Sequence, residues 1–184
     1  MSLRMKRFTT AAVLVALYVV LSYVAIDLKV MKLSFAGLPV IVGGLCMGPL
    51  AGLEIGALGA FLEQILRYGF SATTFLWIIP VAVRGLMVGS CAKKKGFALT
   101  TFETGLIMVL SAVVVTLLNT GCIYIDSRIY GYYSFAAVFS MIFVRIATGI
   151  VTSLVYLLIV PYLVKRLRVF TSQLHQTEGT EVKA

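Results

Sequence analysis

Apolar runs of membrane-crossing length follow one another along nearly the whole chain. FTTAAVLVALYVVLSYVAI at 8–26 and ETGLIMVLSAVVVTLLNTGCI at 103–123 are the plainest. A helix rises about 1.5 Å per residue, so about 20 such residues cross a hydrocarbon layer about 30 Å thick. Inside lipid the backbone polar groups must be bonded within the segment, which makes helix the natural element for these runs. The 184 residues are 60% hydrophobic and 12% charged, too apolar for a soluble domain of that size to bury. The expected fold is an all-α integral membrane protein, a compact bundle of six transmembrane helices. Their expected ranges are near 8–26, 35–47, 50–66, 73–91, 103–123 and 135–164. Residues 1–170 then form one six-helix transmembrane domain and 171–184 a flexible polar tail, with no second domain and no internal repeat.

The stretch from Phe35 to Leu66 is too long for one crossing and short for two. Gly48-Pro49 supplies a break, since proline lacks the N–H of a helix interior and restricts the residue before it. A short second helix, loosened by Gly37, Pro39, Gly43 and Gly44, turns there into the third. On that third helix Gly52, Gly56, Gly59 and Glu63 share one face, marking it for close helix packing.

Basic residues set the expected orientation. Arg4, Lys6, Arg7, Lys93, Lys94, Lys95, Lys165, Arg166, Arg168 and Lys183 fall on the side of the N-terminus. Lys29, Lys32, Arg67 and Arg128 fall on the other, and Arg84 and Arg145 lie within spans. The bias places both termini of this multi-pass membrane protein in the cytoplasm. It also accounts for the net charge of +9 without nucleic acid, because the charges flank apolar runs. The first run is long enough to span and lacks a small-residue cleavage site, so it reads as a retained helix rather than a signal peptide.

Catalytic and metal chemistry have little to stand on. Cys46, Cys91 and Cys122 are far apart, with no CxxC, and read as small buried hydrophobes. The one histidine, His175, lies in the polar tail, and no phosphate-binding glycine loop or hydrolase motif is present. No catalytic residue, metal or cofactor is therefore assigned, and the chain is not read as an enzyme.

Charges within the spans are the functional clue. FLEQILRYGFSATTFLWIIPVAVRG at 61–85 carries Glu63, Arg67 and Arg84. An intramembrane arginine costs about 2.5–3.5 kcal/mol on insertion scales, so it faces a partner or a cavity. Arg145 has no acid nearby on its own helix, where Met141, Thr148 and Thr152 extend a polar face, and it is assigned to a ligand or its immediate support. The candidate ligand-binding set at the outer end is Glu63, Arg67, Tyr68, Thr74, Trp77, Asn119, Tyr124, Arg128, Tyr133 and Arg145. Aromatic faces there suit a flat ring and arginines suit carboxylates. An interfacial aromatic belt and a simple Glu63–Arg67 pair are the plainer readings of the same residues. Glu54 and Arg84, nearer the cytoplasm, read as a structural or coupling charge pair. Pro80, between Trp77 and Arg84, leaves the Leu76 carbonyl without its helical donor. Ala11, Ala12 and Ala16 offer a face for close helix approach, within the bundle or to another membrane subunit.

The whole pattern resembles the substrate-capture (S) components of energy-coupling factor (ECF) vitamin transporters. The likeness rests on AAVLVA at 11–16, KLSFAGLPVIVGGLCMGPLAGLEIGALGAF at 32–61, TTFLWIIPVAVRGLMVG at 73–89 and FVRIATGIVTSLVYLLIVP at 143–161. AAVLVA looks like that family's alanine motif for docking. The folate branch is the nearest, with riboflavin, pantothenate and other vitamin precursors as alternatives. The resemblance implies a vitamin bound in an outward-facing pocket and delivered through a membrane coupling (T) subunit powered by two ATPase subunits. A non-transporting membrane scaffold or assembly protein is the rival reading from another class.

Overall fold

Gly48 and Pro49 divide two helices, as their chemistry requires. Gly48 has φ +96°, a conformation open to glycine but strained for L side chains, and Pro49 begins the next helix where its missing N–H has no intrahelical partner to lose. The computed structural model describes residues 3–27, 32–140 and 142–181. Lys29, Met141 and Lys183, used in the sequence reading, lie outside the described residues.

The elements in chain order are α1 (Leu3–Tyr23), β1 (Ala25–Asp27), β2 (Lys32–Ser34), α2 (Gly37–Met47), α3 (Pro49–Tyr68), α4 (Thr74–Lys94), α5 (Thr101–Ile129), α6 (Phe135–Phe139) and α7 (Ile142–Glu181). Five helices are long and apolar enough to cross a membrane, and α2 is the short sixth of the expected bundle. With 11 residues, α2 is about 16 Å long and reaches only halfway across a bilayer core. Every residue from Leu38 to Cys46 is buried, so protein rather than lipid surrounds it.

The rest of that crossing departs from the expected helix ends. The first helix stops at Tyr23, and an antiparallel pair of short strands follows, with Ala25 opposite Ser34 and Asp27 opposite Lys32. Strand pairing bonds backbone groups that an irregular connection would leave open, a need that hydropathy does not display. The last expected helix, 135–164, is instead divided into α6 and α7, and α7 continues as helix to Glu181.

Glycines set the distance between α3 and α4. A Cβ on Gly52 would lie 2.5 Å from the Gly85 carbonyl oxygen, and one on Gly56 would lie 2.7 Å from that of Val81. Gly59 faces α1 instead, where a Cβ would meet the Tyr18 ring at 2.7 Å. Two apolar clusters flank α2. Leu14, Tyr18, Val40 and Ile55 join α1, α2 and α3, while Ile41, Leu45, Val88, Met108 and Val160 join α2 to α4, α5 and α7. Large apolar side chains also cover the outside, with Phe143 80% and Leu158 83% exposed, as suits a lipid-facing wall.

Two local bonds answer needs legible in the sequence. The Leu76 carbonyl freed by Pro80 accepts from the Cys122 thiol at 3.3 Å, linking α4 to α5. At the start of α5, Thr100 and Glu103 form a reciprocal capping box. Glu103 also holds the Lys95 ammonium at 2.8 Å, and this hydrogen bond raises the lysine pKa above its ordinary value.

Candidate functional site

A cavity of about 480 Å³ opens between α1, α2, α4, α5 and α7. Tyr18 contributes from α1, Ser34 from β2, and Ala36 and Gly37 from the entry to α2. Val81 and Arg84 come from α4, and Ala112, Val115, Thr116 and Asn119 from α5. The α7 wall is Val144, Arg145, Thr148, Gly149, Thr152 and Tyr156. The α5 and α7 residues recur at helical spacings of three and four, so each helix turns one continuous face inward. Because the lining residues of α1 and α7 lie toward Tyr23 and Ile142, the cavity occupies the half of the bundle near those ends.

Backbone packing makes room at its inner end. Gly37 has no side chain where a Cβ would stand 2.7 Å from Arg84 Nη1 and 3.2 Å from Tyr156. The Tyr156 hydroxyl donates to the Ser34 carbonyl, fixing the ring between α7 and the strand pair. The Arg84 guanidinium lies 5.8 Å from the centre of that ring. Its Nε is fully enclosed and has no hydrogen-bond partner among the described residues.

The hydroxyl groups have a defined polarity. Thr116 donates to the Ala112 carbonyl, Thr148 to that of Val144, and Thr152 to that of Thr148, at 2.7–2.8 Å. Tyr18 donates to Glu63 Oε2 at 2.9 Å. With their hydrogens so used, these oxygens offer lone pairs. Among the lining residues described, the side-chain donors not committed in this way are the two guanidiniums, the Asn119 amide and the Ser34 hydroxyl, whose oxygen accepts from the Ala36 N–H. Arg145 makes one long bond, Nη1 to the Val138 carbonyl at 3.4 Å.

Of the candidate ligand residues, Asn119 and Arg145 line this cavity. Glu63 stands behind Tyr18, with Arg67 Nη1 3.9 Å away. Arg67 also donates to the Ser22 carbonyl at 2.6 Å and lies 4.8 Å from the Tyr23 ring centre, tying α3 to α1. Tyr68 is 68% exposed. Thr74 is buried, its hydroxyl accepting from the Ser71 N–H before α4, and Trp77 is half-buried outside the lining. Tyr124, Arg128 and Tyr133 form their own cluster, with Arg128 4.1 Å from the Tyr133 ring centre and 5.5 Å from that of Tyr124. Position along a helix brought these groups to one end of the bundle, while rotation about the axis decided which face inward.

Glu54 and Arg84 are not brought together. Glu54 is exposed on α3 whereas Arg84 lines the cavity, so the expected charge pair is replaced by an arginine without an acidic partner among the described residues. Between them α3 and α4 pack backbone to backbone at Gly52 and Gly85, while Glu54 points outward and Arg84 to the cavity. Tyr18, Gly37, Arg84 and Tyr156 are lining residues outside the candidate set. A signal for Tyr156 was present, since it continues the spacing of Arg145, Thr148 and Thr152 by one further turn. On the far side of α1, Ala12 and Ala16 are exposed, while Ala11 is half-buried against the α1–α3 cluster.

A profile of the family described as "ECF transporter, substrate-specific component" matches residues 6–164. No curated protein matches the chain. A solved structure of the S component of a bacterial ECF transporter is similar, with 21% sequence identity and a TM-score of 0.65. The match covers 90% of this chain and 99% of that one. At that identity the likeness speaks to the fold.

Proposed function

This chain belongs to the ECF transporter substrate-specific component family, and from that premise we propose that its cavity captures a vitamin or related micronutrient for import. Members of the family are multi-pass cell-membrane proteins that bind substrate for a transporter. The observation carrying the proposal is a cavity of about 480 Å³ within the bundle that carries two arginines, an asparagine and several hydroxyl groups on largely apolar walls. That volume lies within the roughly 300–1,000 Å³ range of small-molecule sites. Ionisable side chains in such a place are costly unless they meet something polar.

A folate-like ligand is favoured by the resemblance of the second and third helices. Riboflavin, pantothenate and other vitamin precursors are the alternatives. The basic-residue bias supports cytoplasmic termini, which makes the cavity half of the bundle the outer half. Delivery then runs through a membrane coupling subunit and two ATPases. The exposed Ala12–Ala16 face of α1 suits close approach by a helix of that coupling subunit.

The direct experiment purifies the full chain in detergent and identifies, by mass spectrometry, what is released on denaturation. Its companion measures vitamin uptake in cells with and without the ATPase pair. A stoichiometric vitamin and ATPase-dependent uptake are expected. A protein with neither is a scaffold, and the transport reading ends.

A further inference from the structure

The cavity holds two guanidiniums and, among its lining residues, no carboxylate. Arg84 is the sharper observation. Its Nε is shut off from solvent and has no hydrogen-bond partner, and no acidic side chain pairs with it among the described residues. Burying an unpaired ion is so unfavourable that an apolar side chain of similar size is normally the more stable choice. Arg145, from α7 and nearer its start, has only its long bond to the Val138 carbonyl among the described residues. Glu63 does not relieve the imbalance, because it stands behind Tyr18 and is engaged by Tyr18 and Arg67.

We propose that the ligand is an organic anion, with a carboxylate seated on Arg84 at the inner end of the cavity. Guanidinium and carboxylate meet through parallel N–H···O bonds, a geometry that a neutral ligand does not reproduce. Arg145 meets a second acidic or strongly accepting group nearer the mouth. Along the α5 and α7 walls, the oxygens of Thr116, Thr148 and Thr152 accept from ligand N–H or O–H groups, since their own hydrogens are held by helix carbonyls. The site therefore selects an anion at one end and hydrogen-bond donors along its length. This rests on the transport reading and narrows it to a charge class.

The test expresses the full chain with a coupling subunit and ATPase pair in cells offered labelled folate, pantothenate and biotin as anions. Riboflavin, pyridoxine and thiamine serve as neutral or cationic probes. Accumulation of an anionic vitamin is expected, reduced at least about 30-fold by Arg84→Gln and partly restored by Arg84→Lys, as suits loss of a buried charge pair. Ligand-free Arg84→Gln protein should unfold at the same temperature as the parent or higher. Preferential accumulation of a neutral or cationic vitamin overturns the anion assignment and leaves the transport reading standing. An Arg84→Gln protein of lowered unfolding temperature and unchanged anion uptake overturns the seating of the carboxylate on Arg84 and marks that arginine as a packing residue. Accumulation of none of the six removes the transport reading itself and this inference with it.

Discussion

Tyr18 on α1 donates a 2.9 Å hydrogen bond to Glu63 on α3 while its ring lines the cavity. The same ring lies against Gly59, where a side chain would collide with it. One residue thus joins the cavity, the α1–α3 contact and the helix that exposes Ala12 and Ala16.

Tyr18→Phe keeps the ring and deletes the donor. A hydrogen bond to a charged acceptor contributes about 1.5–3 kcal/mol, and Glu63 would retain only its longer contact with Arg67. We expect a lower unfolding temperature in detergent and a smaller loss of ligand affinity than Arg84→Gln causes. An unchanged unfolding temperature would show that the bond carries no weight.

Arg145→Ala should weaken ligand capture far more than it weakens expression. Its long 3.4 Å bond to the Val138 carbonyl contributes little to the fold, whereas truncating one partner of a buried charge pair with a bound anion costs about 2–5 kcal/mol. Titration calorimetry on the purified variant checks this, and equal affinity would remove Arg145 from the site.

Ala12→Trp places a large ring on the exposed face of α1, away from the cavity. Ligand binding to the isolated protein should persist while uptake by the assembled transporter is abolished. Full uptake would move the docking surface elsewhere.

Gly52→Ala tests the seam between α3 and α4. Its new methyl would stand 2.5 Å from the Gly85 carbonyl oxygen, so the helices must separate, at about 1–3 kcal/mol or more. Gly121→Ala is the control, because nothing lies within 4 Å of that position. A heat-challenge assay followed by size-exclusion chromatography should rank Gly52→Ala well below both the parent and the control.

Spans, their order, the Gly48-Pro49 break and the orphan carbonyl before Pro80 were all legible in the sequence. They depend on residue type, local spacing and the thickness of a hydrocarbon layer, which operate on each segment alone. The face containing Arg145, Thr148 and Thr152 was legible for the same reason, since helical periodicity needs no neighbour.

Which faces meet was decided only by the folded bundle. A helix apolar on every side carries little information about its rotation, because lipid and protein interior are nearly equivalent solvents for hydrocarbon. Close backbone packing supplied what hydropathy lacked. The glycine seam brought α4 against α3, the strand pair carried Ser34 inward, and Gly37 left room beside Tyr156. Arg84 thereby came to face a chamber rather than Glu54, a relation between helices that no single segment encodes.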